Sequence, residues 1–154
     1  RRSSDLSVDS INLQKISVLQ DQGSGNSPRI WLFNDLIKCG FPSPAEGYAD
    51  AEIDFNTYII DRPSSSYCFF VKGDSMEGLH ILSGDLVVVD RSKPLQSGRV
   101  IVCCLEGRFT LKQVVKKGGE SFLVPANPSY KAIRLTAESS FEYWGTATRV
   151  IRKL

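Results

Sequence analysis

The chain has 154 residues, of which 42% are hydrophobic and 23% are charged, a composition typical of a soluble globular protein. This length fits one domain with room for an extended arm. The formal net charge of +2 is too small to indicate a nucleic-acid-binding surface, and no run of about eighteen apolar residues predicts a membrane-spanning helix.

The first 28 residues are mostly polar and end in a stretch rich in Gly, Ser, Asn and Pro, residues 23–28. This composition is typical of a flexible linker, so we predict a flexible N-terminal arm. The apolar cluster Ile30-Trp31-Leu32-Phe33 follows, and we expect it to pack against the domain. A helix-turn-helix domain needs several helices and does not fit into residues 1–28.

An extended stretch follows the dipeptide Cys39-Gly40. In Phe41-Pro42-Ser43-Pro44 the prolines lack an N–H donor, which excludes a central strand and favours extended chain. Residues 48–61 then predict a short amphipathic helix or strand. Four of its apolar side chains are expected to face inward: Ile53, Phe55, Tyr58 and Ile59.

From Tyr67 onward, short apolar or alternating segments are separated by turn residues, which predicts strands. The predicted strands are residues 67–71, 86–89, 100–105, 109–115, 122–125, 133–135 and 141–150. The two-residue link Glu106-Gly107 predicts a hairpin. Many short strands at this spacing predict a compact, mainly β fold.

The cysteines and the chain start give further expectations. Four cysteines without a C-x-x-C pair (Cys39, Cys68, Cys103 and Cys104) and a single histidine predict no zinc site and no cofactor. Buried, reduced thiols in a cytoplasmic protein are the default interpretation. The start carries no signal-peptide pattern. It begins with Arg1 instead of methionine, as a fragment of a longer protein does.

One serine is placed where it could act as a nucleophile. In Val71-Lys72-Gly73-Asp74-Ser75-Met76 a glycine ends a predicted strand, so Ser75 is expected on a turn. A nucleophilic serine needs a base, and the candidates are His80, with Asp74, and Lys112. Residue types alone leave three interpretations open: a histidine base, a lysine base, or no catalytic role. The last is possible because Gly-Asp-Ser is also an ordinary turn sequence.

Five separated blocks carry a resemblance to a known family. They are Leu32-Phe33-Asn34-Asp35-Leu36-Ile37-Lys38-Cys39-Gly40-Phe41-Pro42-Ser43-Pro44-Ala45, Gly73-Asp74-Ser75-Met76, Ser83-Gly84-Asp85-Leu86, Phe109-Thr110-Leu111-Lys112, and Val124-Pro125-Ala126-Asn127 with Tyr130; Ile53-Asp54 and Asn56 also match. These blocks, in their order and spacing, resemble the LexA/UmuD-type family of self-cleaving Ser/Lys peptidases. The resemblance extends from about residue 30 to the C-terminus.

The resemblance implies a twisted, partly closed β-domain that cleaves its own chain between Cys39 and Gly40. Residues 1–39 would be released, and residues 40–154 would form the catalytic and dimerisation domain. Ser75 would be the nucleophile and Lys112 the general base. Burial is expected to lower the pKa of Lys112, and N–H groups of the turn at residues 73–76 are expected to stabilise the oxyanion.

Residues 32–45 resemble the UmuD branch of the family most. They imply a bacterial accessory protein of error-prone, translesion DNA synthesis in the SOS response to DNA damage. The implied partners are a second copy in a homodimer, the RecA–single-stranded DNA filament that stimulates cleavage, a UmuC-like polymerase catalytic subunit and the sliding clamp. Clamp docking would use the apolar cluster at Ile30, where Arg29 and Trp31 depart from the family pattern. Neither membrane nor direct DNA binding is expected.

The last predicted strand is a candidate dimer surface. A strand at the chain end is expected at a sheet edge, where Phe141, Tyr143 and Val150 would form either a two-fold interface or part of the protomer core.

Other functions remain open. The chain could be the C-terminal domain of a LexA- or phage-type repressor whose DNA-binding domain is missing, since residues 1–29 lie outside the resemblance. A signal-peptidase-like processing enzyme would use the same dyad but needs a membrane anchor. An inert β binding module would use Ser75 only as a turn residue.

Overall fold

The computed structural model of the chain describes residues 30–33, 37, 39–40 and 49–154. It divides the chain into two compact units, residues 1–58 and residues 59–154. The predicted flexible arm lies largely outside the described residues. The arm, and the division of the chain at the Cys39–Gly40 bond, therefore stay predictions.

The first unit contains a small antiparallel sheet. Strand β1 (Trp31–Phe33) pairs with β2 (Ala49–Glu52), and the Ile53 N–H donates to the Ile30 carbonyl at 2.9 Å. Ile30, Trp31 and Leu32 expose 39%, 57% and 46% of their surface. The expectation that this cluster packs against the domain stays a prediction.

Helix α1 (Phe55–Ile59) starts at Asp54, whose carboxylate accepts hydrogen bonds from the Asn56 N–H at 3.0 Å and the Thr57 hydroxyl at 2.8 Å. Ile53 and Ile59 are half-buried, but Phe55 and Tyr58 are exposed, so the predicted inward face is only half right. Within the described parts of the chain, no helix is long and apolar enough to cross a membrane.

The second unit is an antiparallel sheet of seven strands, which confirms the mainly β prediction. The strands are β3 (Ser66–Phe70), β4 (Leu86–Asp90), β5 (Val100–Leu105), β6 (Arg108–Lys117), β7 (Glu120–Val124), β8 (Ile133–Leu135) and β9 (Phe141–Ile151), with two short 3₁₀ turns at Pro63–Ser65 and Glu77–Leu79. Their order in the sheet is β3-β4-β9-β5-β6-β7-β8. The two ends of this order, β3 and β8, do not pair with each other, so the sheet is not closed into a barrel.

The predicted hairpin joins β5 to β6. Glu106 and Gly107 have φ angles of +47° and +75°, as a two-residue turn between right-twisted strands requires. The turn sets the register of the hairpin, in which Ile101 pairs with Lys112. The hairpin prediction is confirmed, and its register fixes where Lys112 stands on the sheet.

Two hydrophobic clusters flank the sheet. The first consists of Met76, Ile81, Val87, Val89 and Val102, and the second of Ile101, Cys103, Val114 and Leu123. The alternation of side chains along β5 divides its residues between the two clusters. The first cluster contains Met76, the neighbour of Ser75, and so anchors the turn that carries the serine.

Strand β9 lies in the middle of the sheet, between β4 and β5. The expectation that it forms an edge is therefore wrong. Phe141 and Tyr143 pack against the second hydrophobic cluster of their own chain, whereas Val150 is exposed. A chain end does not determine a strand's place in the sheet, because that place depends on which strands cover its two sides.

The cysteines are all free thiols. Cys103 is buried and Cys104 is half-buried, and the two point to opposite faces of β5 as adjacent strand residues must. Cys39 and Cys68 are exposed, so the expectation of buried thiols is wrong for these two.

Candidate active site

Ser75 lies on the turn that follows β3, as predicted. Gly73 has a φ of +99°, a conformation that side chains rarely adopt, and it ends the extended chain. The base of the turn is closed by hydrogen bonds from the Val71 N–H to the Asp85 carbonyl (2.8 Å) and from the Gly84 N–H to the Val71 carbonyl (2.7 Å). Met76 is only 2% exposed and holds the other side of the turn in the core. Ser75 is therefore presented on a short loop that is fixed at both ends.

Lys112 reaches this turn from β6. Its Nζ donates a hydrogen bond to the Ser75 Oγ at 3.1 Å, between residues 37 positions apart in the sequence. The structure thus brings together the serine and the lysine that the sequence analysis named as nucleophile and base.

Two further acceptors surround the lysine nitrogen. Nζ donates to the Thr110 Oγ1 at 2.9 Å and to the Leu111 carbonyl at 3.0 Å. An ammonium has three donors, and these three oxygens match them. Loss of one proton leaves two N–H donors and a lone pair. Since the Leu111 carbonyl can only accept, and Thr110 can accept the second N–H, the lone pair is free to take the Ser75 hydroxyl proton.

The surroundings of Lys112 favour its neutral form. Burial lowers the pKa of Lys112, because an ammonium loses hydration inside the protein. Among the ion pairs of the described residues, none involves Lys112. The nearby Cys103 thiol acts in the opposite direction, but burial raises its own pKa to about 11, so it is uncharged at neutral pH.

The alternative histidine base is not connected to the serine. His80 ends the short 3₁₀ turn with a φ of +59°, is exposed, and uses its carbonyl to accept a hydrogen bond from Arg152 at 2.8 Å. The Asp74 carboxylate instead accepts from the Tyr130 hydroxyl at 2.5 Å. In the part of the chain that the structure describes, no hydrogen bond links His80 to Asp74 or Ser75. The geometry does not support the histidine triad.

A cleft of about 270 Å³ opens beside the pair. Both Ser75 and Lys112 line it, and its other walls are largely apolar, with Phe69, Phe109 and Leu111 among them. The rings of Phe69 and Phe109 lie 5.4 Å apart, and Phe109 is 54% exposed. The cleft can therefore take an apolar peptide segment next to a serine oxygen.

The two residues of the predicted cleavage site are both exposed. Leaving out its chain neighbours, no atom of the described residues lies within 4 Å of the position that a Cβ on Gly40 would take, so contacts with those residues do not require glycine there. The cleavage of the Cys39–Gly40 bond by Ser75 stays a prediction.

The structure thus places a serine and a half-buried lysine in hydrogen-bond contact, on a β-domain and beside a cleft, as the sequence analysis expected. The model of the Peptidase S24-like family matches residues 32–148, and the chain belongs to this family.

Curated relatives match over most of the chain. Protein MucA of Salmonella typhimurium is 33% identical over 135 residues, which are 87% of this chain and 92% of MucA. Protein ImpA of Shigella flexneri is 35% identical over 122 residues, 79% of this chain and 83% of ImpA. The LexA repressor of Shewanella piezotolerans is 39% identical over 92 residues, 59% of this chain and 45% of the repressor.

No pattern in the sequence assigned a role to Thr110 or Asn127. Thr110 stands two residues before Lys112 on the same strand and hence on the same face, a signal that could have marked it as a neighbour of Nζ. Asn127 was named only within the block at residues 124–127 that carries the resemblance. Its amide donates to the Asp74 carbonyl at 2.9 Å, a contact that no local pattern predicts.

Proposed function

We propose that this chain is a self-cleaving serine peptidase in which Ser75 and Lys112 cut the Cys39–Gly40 bond. The observation that carries the proposal is the 3.1 Å hydrogen bond between Nζ of the half-buried Lys112 and the Ser75 Oγ. Membership of the Peptidase S24-like family supports a peptidase activity.

In the first step, neutral Lys112 removes the Ser75 hydroxyl proton while Oγ attacks the carbonyl carbon of Cys39. The carbonyl oxygen becomes an oxyanion, which N–H groups of the turn at residues 73–76 can stabilise. The ammonium of Lys112 then gives its proton to the Gly40 nitrogen as the C–N bond breaks. Gly40 becomes a new amino terminus, and residues 1–39 stay bound to the Ser75 oxygen as an ester through the Cys39 carbonyl.

In the second step, water attacks the ester carbonyl. Lys112 again accepts a proton, this time from the water, and returns it to the Ser75 oxygen as the ester bond breaks. The products are a free Cys39 carboxylate and the regenerated pair. Such a mechanism requires a neutral lysine, and burial favours that form because it lowers the pKa of Lys112.

We assign the cleaved protein to error-prone DNA synthesis in the SOS response, as a UmuD-like accessory subunit in the bacterial cytoplasm. The UmuD-type resemblance of residues 32–45 and the length of the MucA match support this role. The proposed partners are a second copy of the chain, a RecA–single-stranded DNA filament that stimulates cleavage, an error-prone polymerase subunit and the sliding clamp. A protein that sediments as a 17.1 kDa monomer at micromolar concentration would contradict the homodimer.

A repressor domain is the second candidate, because the LexA match has the higher identity, 39%. That match covers 45% of the repressor, whereas the match to MucA covers 92% of MucA. The difference favours the accessory role. A DNA-binding domain encoded directly upstream of Arg1 would favour the repressor instead.

The test of cleavage is incubation of intact protein at alkaline pH without the RecA filament, followed by mass spectrometry. Raising the pH deprotonates Lys112 directly, so we expect a fragment that begins at Gly40. Ser75→Ala and Lys112→Ala should stay intact. Lys116→Ala, which changes an exposed lysine of the same strand, should cleave like the unmodified protein. Persistence of folded, intact protein at high pH would refute the proposal.

A further inference from the structure

The loop after β7 holds the Ser75 turn through contacts that the mechanism above does not use. We call Ala126, Asn127 and Tyr130 the clasp. The Ala126 N–H donates to the Ser75 carbonyl at 2.8 Å, and the Asn127 side-chain amide donates to the Asp74 carbonyl at 2.9 Å. The Tyr130 hydroxyl donates to the Asp74 carboxylate at 2.5 Å. The clasp therefore makes hydrogen bonds to both Asp74 and Ser75, the two residues that precede the buried Met76.

A fourth contact closes the clasp on the far side of the serine. The Gly78 N–H donates to the Ala126 carbonyl at 2.6 Å. A Cβ on Gly78 would lie 2.5 Å from that same carbonyl oxygen, so only glycine allows this close approach. Ala126 thus donates to the turn with its N–H and accepts from it with its carbonyl.

The clasp contacts are shorter than two of the hydrogen bonds within the turn. Within the turn, the Glu77 N–H donates to the Asp74 carbonyl at 3.2 Å and the Leu79 N–H to the Met76 carbonyl at 3.1 Å. The clasp contacts range from 2.5 to 2.9 Å. The loop after β7 therefore helps to hold the conformation of the turn, together with the hydrogen bonds at the base of the turn.

The orientation of peptide planes links the clasp to the chemistry. In a trans peptide the C=O and the following N–H point in opposite directions. Because Asn127 binds the Asp74 carbonyl, it turns the Ser75 N–H away from itself. Because Ala126 binds the Ser75 carbonyl, it fixes the next plane as well. Within the described residues, the Ser75 N–H has no hydrogen-bond acceptor and remains available to an oxyanion.

We propose that Asn127, supported by Ala126 and Tyr130, is a positioning residue that holds the Ser75 peptide planes so that the Ser75 N–H faces the oxyanion while Oγ faces Lys112. This role rests on the self-cleavage proposed above. Asn127 acts through the Asp74 carbonyl and touches neither Lys112 nor the reacting atoms.

The test is Asn127→Asp, a change of nearly the same shape. The Asn127 Oδ1 accepts a hydrogen bond from the Ser129 N–H at 2.9 Å, and a carboxylate can keep that contact. The Nδ2 donor to the Asp74 carbonyl is lost, and an anion replaces it. The variant thus keeps the hydrogen bond within the loop and removes only the hydrogen bond from the loop to the Ser75 turn. Ser129→Ala, in the same loop, is the matched control, since its backbone N–H is unchanged.

Tyr130→Phe is a second, uncharged variant that removes only the hydroxyl bound to Asp74. We expect both variants to lower the maximal rate of self-cleavage at high pH by at least about tenfold, since loss of one oxyanion donor costs about 10²- to 10³-fold. The midpoint of the pH profile of Tyr130→Phe should not move, because that midpoint reports Lys112. A merely structural role would lower the melting temperature without this selective loss of maximal rate.

Each outcome is decisive. Folded Asn127→Asp and Tyr130→Phe proteins that cleave at the unmodified rate would overturn the clasp and leave the self-cleavage proposal intact. A shifted midpoint with an unchanged maximal rate in Tyr130→Phe would also overturn it, since the clasp would then act on Lys112. If the unmodified protein does not cleave at any pH, the proposed function itself fails, and the role of the clasp fails with it.

Discussion

The substitution Thr110→Val tests how the lysine nitrogen is held. Thr110 Oγ1 accepts a hydrogen bond from Nζ at 2.9 Å and stands two residues from Lys112 on the same strand. Valine has nearly the same shape and is favoured in strands, so the fold should not change. The variant removes one acceptor and leaves the contacts with Leu111 and Ser75.

The change should affect the pH profile of self-cleavage in two ways. A hydrogen bond to a charged group contributes about 1.5–3 kcal/mol and one between neutral groups about 0.5–1.5 kcal/mol, so the Thr110 contact favours the ammonium by about 1 kcal/mol. Since 1.36 kcal/mol corresponds to one pH unit, the midpoint should move down by roughly 0.7 pH unit. The maximal rate should fall about tenfold, because the lone pair is less well directed at Ser75.

The assay measures the first-order rate of cleavage from neutral to strongly alkaline pH. The matched control is Thr148→Val, which removes a longer contact of 3.3 Å to the Val88 carbonyl on another strand. It should reproduce the unmodified profile. A midpoint that moves to higher pH, or a profile that does not change, would refute the reasoning that Thr110 stabilises and directs the lysine nitrogen.

Three further predictions follow from the geometry. In a Ser75→Ala background, Lys112→Met should raise the melting temperature, and the rise should be largest at neutral pH. The pKa of Lys112 is lower in the folded state, so the unfolded chain binds more protons and the charged lysine destabilises the fold. The gain in melting temperature should therefore shrink as the pH rises toward 10.5. His80→Asn should cleave like the unmodified protein, because asparagine tolerates the φ of +59° and the histidine side chain has no link to Ser75 in the described residues; a folded variant that does not cleave would restore the histidine base. Gly145→Ala should lower the free energy of unfolding in urea by about 1–3 kcal/mol, since its Cβ would lie 2.6 Å from Val89 Cγ1 at a φ of +140°. Gly119→Ala, with a φ of +77° and open space, is the control and should cost less.

The positions of the strands were determined by the sequence itself. Residues 100–105 and 133–135 were predicted as strands and coincide with β5 and β8. This works because side-chain alternation is a property of one segment and does not depend on its neighbours. The hairpin at Glu106-Gly107 is local for the same reason.

The order of the strands was decided only by the tertiary structure. β9 was expected at an edge, yet it lies between β4 and β5. The backbone N–H and C=O groups on both sides of β9 need hydrogen-bond partners. The sequence of residues 141–150 does not determine which strands provide them. The choice depends on how all seven strands bury their apolar faces together.

Some features of the candidate site were likewise predictable from the sequence, and others exist only in the folded chain. The sequence placed Ser75 on a turn, because Gly73 ends the strand locally. It could not place Lys112 beside Ser75 from residue types alone, and only the resemblance suggested the pair. The 3.1 Å contact and the half-burial that lowers the lysine pKa arise when β6 folds against the turn. Likewise, Asn127 has the local pattern of a turn residue, and its contact with Asp74, 53 positions away, exists only in the folded chain. A hydrogen bond between distant groups requires the packing of every segment between them, which no single stretch of sequence contains.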